Sequence, residues 1–153
     1  MTINDSAPTR VVSTARGWLG TPYRHQASIK GVGCDCLGLL RGVWRELAGS
    51  EPESPPPYSS DWAETGRQET LLEAAHRHLT PCDTLQLVPG RVVVFRMSRF
   101  AMAKHVGIVS GPDRFIHAYE AAGVLETAFD AFWCNRIVEL FDFAPPVSGH
   151  LEG

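Results

Sequence analysis

The spacing of apolar residues changes period once along this chain, near Pro89, and that change limits the folds open to it. Beyond Pro89 lie five short runs rich in β-branched and aromatic residues: Val92 to Phe95, His105 to Ser110, Arg114 to Tyr119, Val124 to Thr127 and Arg136 to Phe143. Gly, Pro or Asp separates them, so they read as strands. Before Pro89 the spacing is helical. Val11, Val12, Ala15, Trp18 and Leu19 follow a cap at Thr9 and stop at Gly20. Leu39, Leu40, Val43, Trp44 and Leu47 follow an N-cap at Asp35 and stop at Gly49. Thr65 and Gln68 have capping-box spacing ahead of Leu71, Leu72, Ala75 and Leu79, which predicts a third helix over about 66–79, closed by Pro81. Helices first and strands later give an α+β fold, with N-terminal helices packed on a C-terminal antiparallel sheet.

The connections are as informative as the elements. Turn-forming residues flank both ends of the segment 20–34, which predicts an irregular surface loop there. Residues 50–62 carry too many prolines for a helix or central strand and read as an extended surface insertion, not a domain boundary. The 153 residues then form one domain, large enough to bury a core without metal or disulfide staples.

Charge and cysteine usage exclude several classes. The balance of 14 basic against 17 acidic residues, with no basic cluster, argues against a nucleic-acid surface. The N-terminus lacks the basic and apolar regions of a signal peptide, and no stretch is apolar for long enough to insert in a membrane. The expectation is a chain made and folded in the cytosol. Cys34 and Cys36 are too close in sequence to bridge easily, while Cys82 and Cys134 stand alone and read as small buried apolar side chains. Paired ligand motifs of the C-x2-C or H-x3-H kind are absent, so neither metal nor organic cofactor is expected.

The chemistry concentrates at Gly33-Cys34-Asp35-Cys36-Leu37-Gly38, where a glycine-rich loop turns into an apolar helix. A thiol at a helix start meets unpaired backbone N–H groups and the positive end of the helix dipole, both of which favour thiolate. Cys36 is thereby the candidate nucleophile. Gly111-Pro112-Asp113 reads as a hairpin turn, and the even separation of His105 and His117 places both on one face provided no bulge intervenes. His105 then serves as base and His117 as the group that orients it. A single strand histidine is more often a packing residue than a base, and the case rests on the three residues together. His76, His78 and His150 read as solvated, His25 precedes the nucleophile and is a candidate lining residue, and Cys34 reads as a packing residue.

Gly20-Thr21-Pro22-Tyr23, Asp35-Cys36-Leu37-Gly38-Leu39, Pro89-Gly90-Arg91-Val92, His105-Val106-Gly107-Ile108 and Ile116-His117-Ala118 resemble the NlpC-type cell-wall cysteine endopeptidases in motif order and spacing. The likeness runs from about residue 10 to 143. Residues 23–27, Arg41 to Glu46 and the Pro-Pro-Tyr and Asp-Trp of the proline loop look like members encoded with phage tails and gene transfer agents. The resemblance implies a papain-like fold, catalysis by Cys36, His105 and His117, and cleavage of peptidoglycan stem peptides between γ-D-glutamate and the diamino acid. It further implies substrate-side roles for Tyr23, beside the nucleophile, and Asp35. Tail-tip or baseplate proteins are the implied partners, and the implied place of action is the cell wall in the periplasm. Leu37 stands where the family usually has serine, and Arg91 where an acidic residue usually follows Pro-Gly; neither change removes a triad member. Two other readings share these residues: a structural tail component that has lost turnover, and an acyltransferase or amidase using the same thiol and imidazole.

Overall fold

The computed structural model describes residues 7–51, 70–98 and 103–143. The elements run α1 (Ala7–Arg16), β1 (Ser28–Ile29), β2 (Gly33–Cys34), α2 (Cys36–Ala48), α3 (Thr70–His78), β3 (Thr80–Pro81), β4 (Arg91–Arg96), β5 (Ala103–Gly111), β6 (Arg114–Tyr119), β7 (Gly123–Ala128), α4 (Ala131–Cys134) and β8 (Ile137–Asp142). The α+β order stands: the long helices precede a six-stranded sheet in the order β3-β8-β4-β5-β6-β7, every pair antiparallel.

Both sheet faces are covered, each for a reason visible in the strands. Val92, Val94, Val106, Ile108, Ile116, Ala118 and Phe141 pack with Val11, Ala15, Trp18, Leu39 and Val43 from the helices. Val93, Phe95, Val109, Phe115 and Leu140 form a second cluster with Trp133 of α4. Continuous apolar runs such as Val92-Val93-Val94-Phe95 are what a strand buried on both faces requires. Helix α1 is locked to α2 at one close approach, because a Cβ on Gly42 would run into the Trp18 indole, whose Nε1 donates to Glu46 at 2.6 Å.

Several boundaries differ from the sequence reading. Helix α1 begins at Ala7, which leaves Thr9 inside it, and ends at Arg16, with turns carrying the chain to Gly20 at φ 89°. The segment 20–34 is not all surface: Thr21 and Cys34 are buried, and β1 and β2 pair within it. Pro81 does more than close α3, since it joins the sheet edge opposite Phe141, a position where its missing N–H is tolerated. Helix α4 was not anticipated; Asp130 caps it by accepting from Trp133 N. Most of the proline insertion, residues 66–69 of the third helix and His150 lie outside the described residues.

Candidate functional site

Cys36 is the first residue of α2, and two constraints hold it there. Asp35 has extended N-cap geometry; one carboxylate oxygen accepts from Gly38 N at 2.7 Å and the other from Gln26 N at 2.8 Å. The second bond crosses to a loop in which Gln26 takes φ 66°, a left-handed value uncommon for a residue with a side chain. That loop passes so close to the first turn that a Cβ at Gly38 would strike the Ala27 carbonyl oxygen. Tyr23 is set beside the thiol by a parallel bridge to Cys34, with Arg24 N donating to Cys34 O and Cys34 N to Pro22 O, each at 3.0 Å.

His105 and His117 share a sheet face, but not for the reason their spacing suggests. Gly111 pairs with Arg114, and a regular ladder continued from there would set His117 opposite Ile108 and turn His105 to the other face. Instead the register shifts between Val109 and Gly111, so that Val109 meets Phe115 and Ile108 meets Ile116. Ser110 is the extra residue of a bulge, and the bulge restores the shared face. His105 Nε2 lies 2.8 Å from His117 Nδ1, and His117 Nε2 lies 2.9 Å from Thr127 Oγ1. Gly107 leaves the room for this, since a Cβ there would stand 3.2 Å from His117 Cβ. A second register shift skips Lys104, between Ala103 and His105, and the Lys104 carbonyl accepts from the Cys36 thiol at 3.6 Å.

The thiol and the imidazole come from different layers. His105 pairs with Phe95 and shares the Trp133 side of the sheet, with ring centroids 5.6 Å apart, whereas Cys36 packs with the helix-side core. Both line one cavity of about 250 Å³, together with Tyr23, His25, Asp35, Lys104, Tyr119 and Glu120. The structure therefore gathers Cys36, His105, Tyr23 and Asp35 around one space and connects His117 to it through His105. A smaller cavity of about 110 Å³, lined by α2, α3 and the sheet, reaches Leu37 but not Cys36.

Electrostatics keep the resting thiol and both imidazoles neutral. Burial pushes the Cys36 thiol up to about 12; the Asp35 carboxylate adds to the rise, and backbone N–H groups of Val106, Leu37 and Cys36 itself oppose it. The helix start thus acts in the expected direction, but desolvation outweighs it. Burial lowers His105 to about 4, and burial with the neighbouring His105 lowers His117 to about 3. Tyr23 is raised by burial first and by Cys36 next, so its hydroxyl keeps its proton. The arrangement sets a thiol and a neutral imidazole, the donor and acceptor that a proton transfer needs, on one cavity, with backbone N–H groups beside the sulfur.

Other site expectations divide. His25 lines the cavity and stands 3.9 Å from Asp35. Cys34 is fully buried, as a packing residue should be. Asp35 is 3% exposed, with both oxygens bound to backbone. Cys134 is exposed and Cys82 only partly buried, against the expectation for both; Cys134 ends the four-residue α4 and Cys82 follows the two-residue edge strand β3, elements too short to cover a side chain on all sides. His76 is half-exposed but bonded to Glu139 at 3.0 Å. Among the described residues, no three His, Cys, Asp or Glu converge as a metal site would need. Thr127 was missed: its run reads only as a strand, and its place beside His117 depends on β6–β7 pairing.

A helix-start thiol, an imidazole pair on an antiparallel sheet and helix-before-strand order define the papain-like α+β class. Within that class the chain belongs to the NlpC/P60 family, whose sequence pattern matches residues 20–140. It is 28% identical over 138 residues to murein DD-endopeptidase MepS/murein LD-carboxypeptidase of Escherichia coli K12, covering 89% of this chain and 63% of the relative. It is 29% identical over 119 residues to the probable endopeptidase NlpC of the same organism, covering 77% and 66%. The chain thus spans just under two thirds of the length of these relatives. The fold matches the NlpC/p60 domain of peptidoglycan hydrolase SagA with TM-score 0.63 at 21% identity, over 89% of this chain and 98% of that one. NlpC2 of Trichomonas vaginalis gives TM-score 0.67 at 16% identity, over 93% and 48%.

Proposed function

We propose that this chain is a cysteine endopeptidase that cleaves peptidoglycan stem peptides, with Cys36 as nucleophile, His105 as base and His117 as the group that orients it. The observation that carries the reading is the shared cavity: Cys36 and His105 line it together, and the ring nitrogen of His105 turned from His117 is the one left for a thiol. Sulfur gives its proton to His105 and attacks the carbonyl carbon; the imidazolium returns the proton to the leaving amine. Water then attacks the acyl-enzyme, losing a proton to His105, and the carboxylic acid leaves as sulfur regains its proton. Backbone N–H groups of Val106, Leu37 and Cys36 and the Tyr23 hydroxyl neighbour the sulfur, and this reading assigns them to the developing oxyanion.

The bond assigned is that between γ-D-glutamate and the diamino acid, and the setting is a phage-like tail whose local wall cleavage aids DNA delivery. Tail-tip or baseplate proteins are then its partners. Defined muropeptides digested with the purified chain and analysed by mass spectrometry test the assignment. Release of the diamino-acid product, lost in Cys36→Ala, supports it; products of a DD-endopeptidase or an LD-carboxypeptidase, the activities in the name of the MepS relative, would move the bond. Activity that survives Cys36→Ala would end the cysteine reading.

A second reading, a structural tail component without turnover, is favoured by the resting thiol, which is held protonated and bonded to a backbone carbonyl. Unchanged muropeptides after long incubation, with DNA delivery indifferent to Cys36→Ala, would select it.

A further inference from the structure

The hydrogen-bonded series that begins at His105 does not stop at His117. It runs His105 Nε2 to His117 Nδ1 at 2.8 Å and His117 Nε2 to Thr127 Oγ1 at 2.9 Å. Each neutral imidazole carries one N–H, so every bond in the series fixes the direction of the next. Two arrangements fit the same heavy atoms. In the first, His105 Nε2–H donates to His117 Nδ1 and His117 Nε2–H donates to Thr127 Oγ1, which leaves His105 Nδ1 a bare acceptor. In the second, the Thr127 hydroxyl donates to His117 Nε2, His117 Nδ1–H donates to His105 Nε2, and His105 Nδ1 carries the proton. Only the first lets His105 take a proton from Cys36.

We propose that Thr127 is a positioning residue that accepts from His117 and thereby sets the tautomers of both imidazoles, keeping His105 Nδ1 open toward Cys36. The proposal rests on the reading of His105 as the base. Thr127 is suited to accept, because it is partly exposed and its own proton has water to donate to. His117 is 1% exposed, so its Nε2–H has no such recourse and needs a partner from the protein. The strands enforce the meeting: Thr127 pairs with Phe115 and His117 with Leu125, which sets Thr127 and His117 on the diagonal of one face. During catalysis one proton moves from Cys36 Sγ to His105 Nδ1. The two outer bonds keep their protons and only strengthen as charge develops on His105.

Nitrogen-15 spectra of the histidine side chains, recorded on the intact chain near neutral pH, read the tautomers directly. The expected result is Nε2–H on both His105 and His117 in the wild type and in Thr127→Ser, which keeps the hydroxyl. Thr127→Val removes the acceptor and is expected to shift part of His105 to the Nδ1–H form. Cys36 carboxamidomethylation, followed on its own peptide by mass spectrometry, should then slow about tenfold, with recovery in Thr127→Ser. Nδ1–H on either ring of the wild type would overturn the proposal, as would tautomers unmoved in Thr127→Val. The wild-type spectrum decides even if the valine variant does not fold. Failure of the peptidase reading is a separate outcome, seen as muropeptide cleavage that ignores Cys36→Ala while the tautomers stay as stated.

Discussion

Ser110 donates to Glu126 across 2.6 Å, and this bond fastens the bulge that sets His105 and His117 on one face. Glu126 uses its other oxygen to accept from Arg16 of α1 at 2.8 Å, so the bulge is tied through β7 to the first helix. The Arg16 bond favours the charged form of Glu126 most; desolvation opposes it next, and the Ser110 bond then adds to the lowering. Ser110 is 8% exposed. Ser110→Ala and Glu126→Gln should each cost about 1 kcal/mol, as a charge-assisted bond among partly buried groups does. Because the two residues share one bond, urea denaturation of the double variant should show less than the sum of the single losses. Full additivity would mean that the bond carries none of the stability.

The pH dependence follows from the buried imidazoles. His105 is held at about 4, so it stays a free base through the neutral range, and the acid limb of kcat/KM on muropeptides should have its midpoint near 4 rather than near an ordinary imidazole value. A midpoint near 6.5 would show a solvated His105.

The same shift has a stability consequence of definite sign. The unfolded chain binds a proton on each histidine near pH 6.5, while the folded chain refuses it until about 4 at His105 and about 3 at His117. Between those values the unfolded state binds more protons, so stability is full above about 6.5 and falls as pH is lowered. His105→Gln should lose part of that slope when urea midpoints at about pH 7.5 and about pH 4.5 are compared with wild type.

How legible these features were in the sequence depends on their range. Helix α2, its Asp35 cap and its Gly49 stop were readable because every signal lies within a turn of its effect. The shared face of His105 and His117 was read correctly through a faulty geometry: counting outward from Gly111 ignores the Gly111–Arg114 pairing, and the Ser110 bulge that corrects it leaves no mark in composition. Thr127 and the Lys104 carbonyl enter the site through strand pairing, which no local pattern encodes. Helix α4 had a readable cap in Asp130, but four residues are too few to show a period. The thiol was read as activated because dipole and N–H donors are local, while the burial that outweighs them is tertiary.

Gly107 marks where the sheet leaves space for the imidazole pair. A Cβ there would stand 3.0 Å from Ile116 O and Phe115 Cδ2 and 3.2 Å from His117 Cβ. Two of these neighbours are backbone or ring atoms that cannot swing aside. Gly107→Val should therefore cost about 2–3 kcal/mol by overpacking, and Gly107→Ala less. The valine should also displace His117, so the histidine nitrogen-15 signals should move in the folded variant. Stability and spectra equal to wild type would show that the strands relax freely.

Asp35 offers the sharpest separation of structural from electrostatic effects. Its carboxylate caps α2 through Gly38 N and holds the strained Gln26 through its backbone N–H, while its charge raises the adjacent thiol. Asp35→Asn keeps one acceptor oxygen but turns an NH2 toward the other N–H, so one of the two bonds is lost. Thermal unfolding should report a loss of about 1–2 kcal/mol. Removing the negative charge should at the same time lower the Cys36 pKa, and the pH dependence of Cys36 alkylation should shift to lower pH. Stability and reactivity thus move in opposite directions. A thiol whose titration rises or stays fixed in Asp35→Asn would show that burial alone sets it and that the Asp35 charge is screened from sulfur.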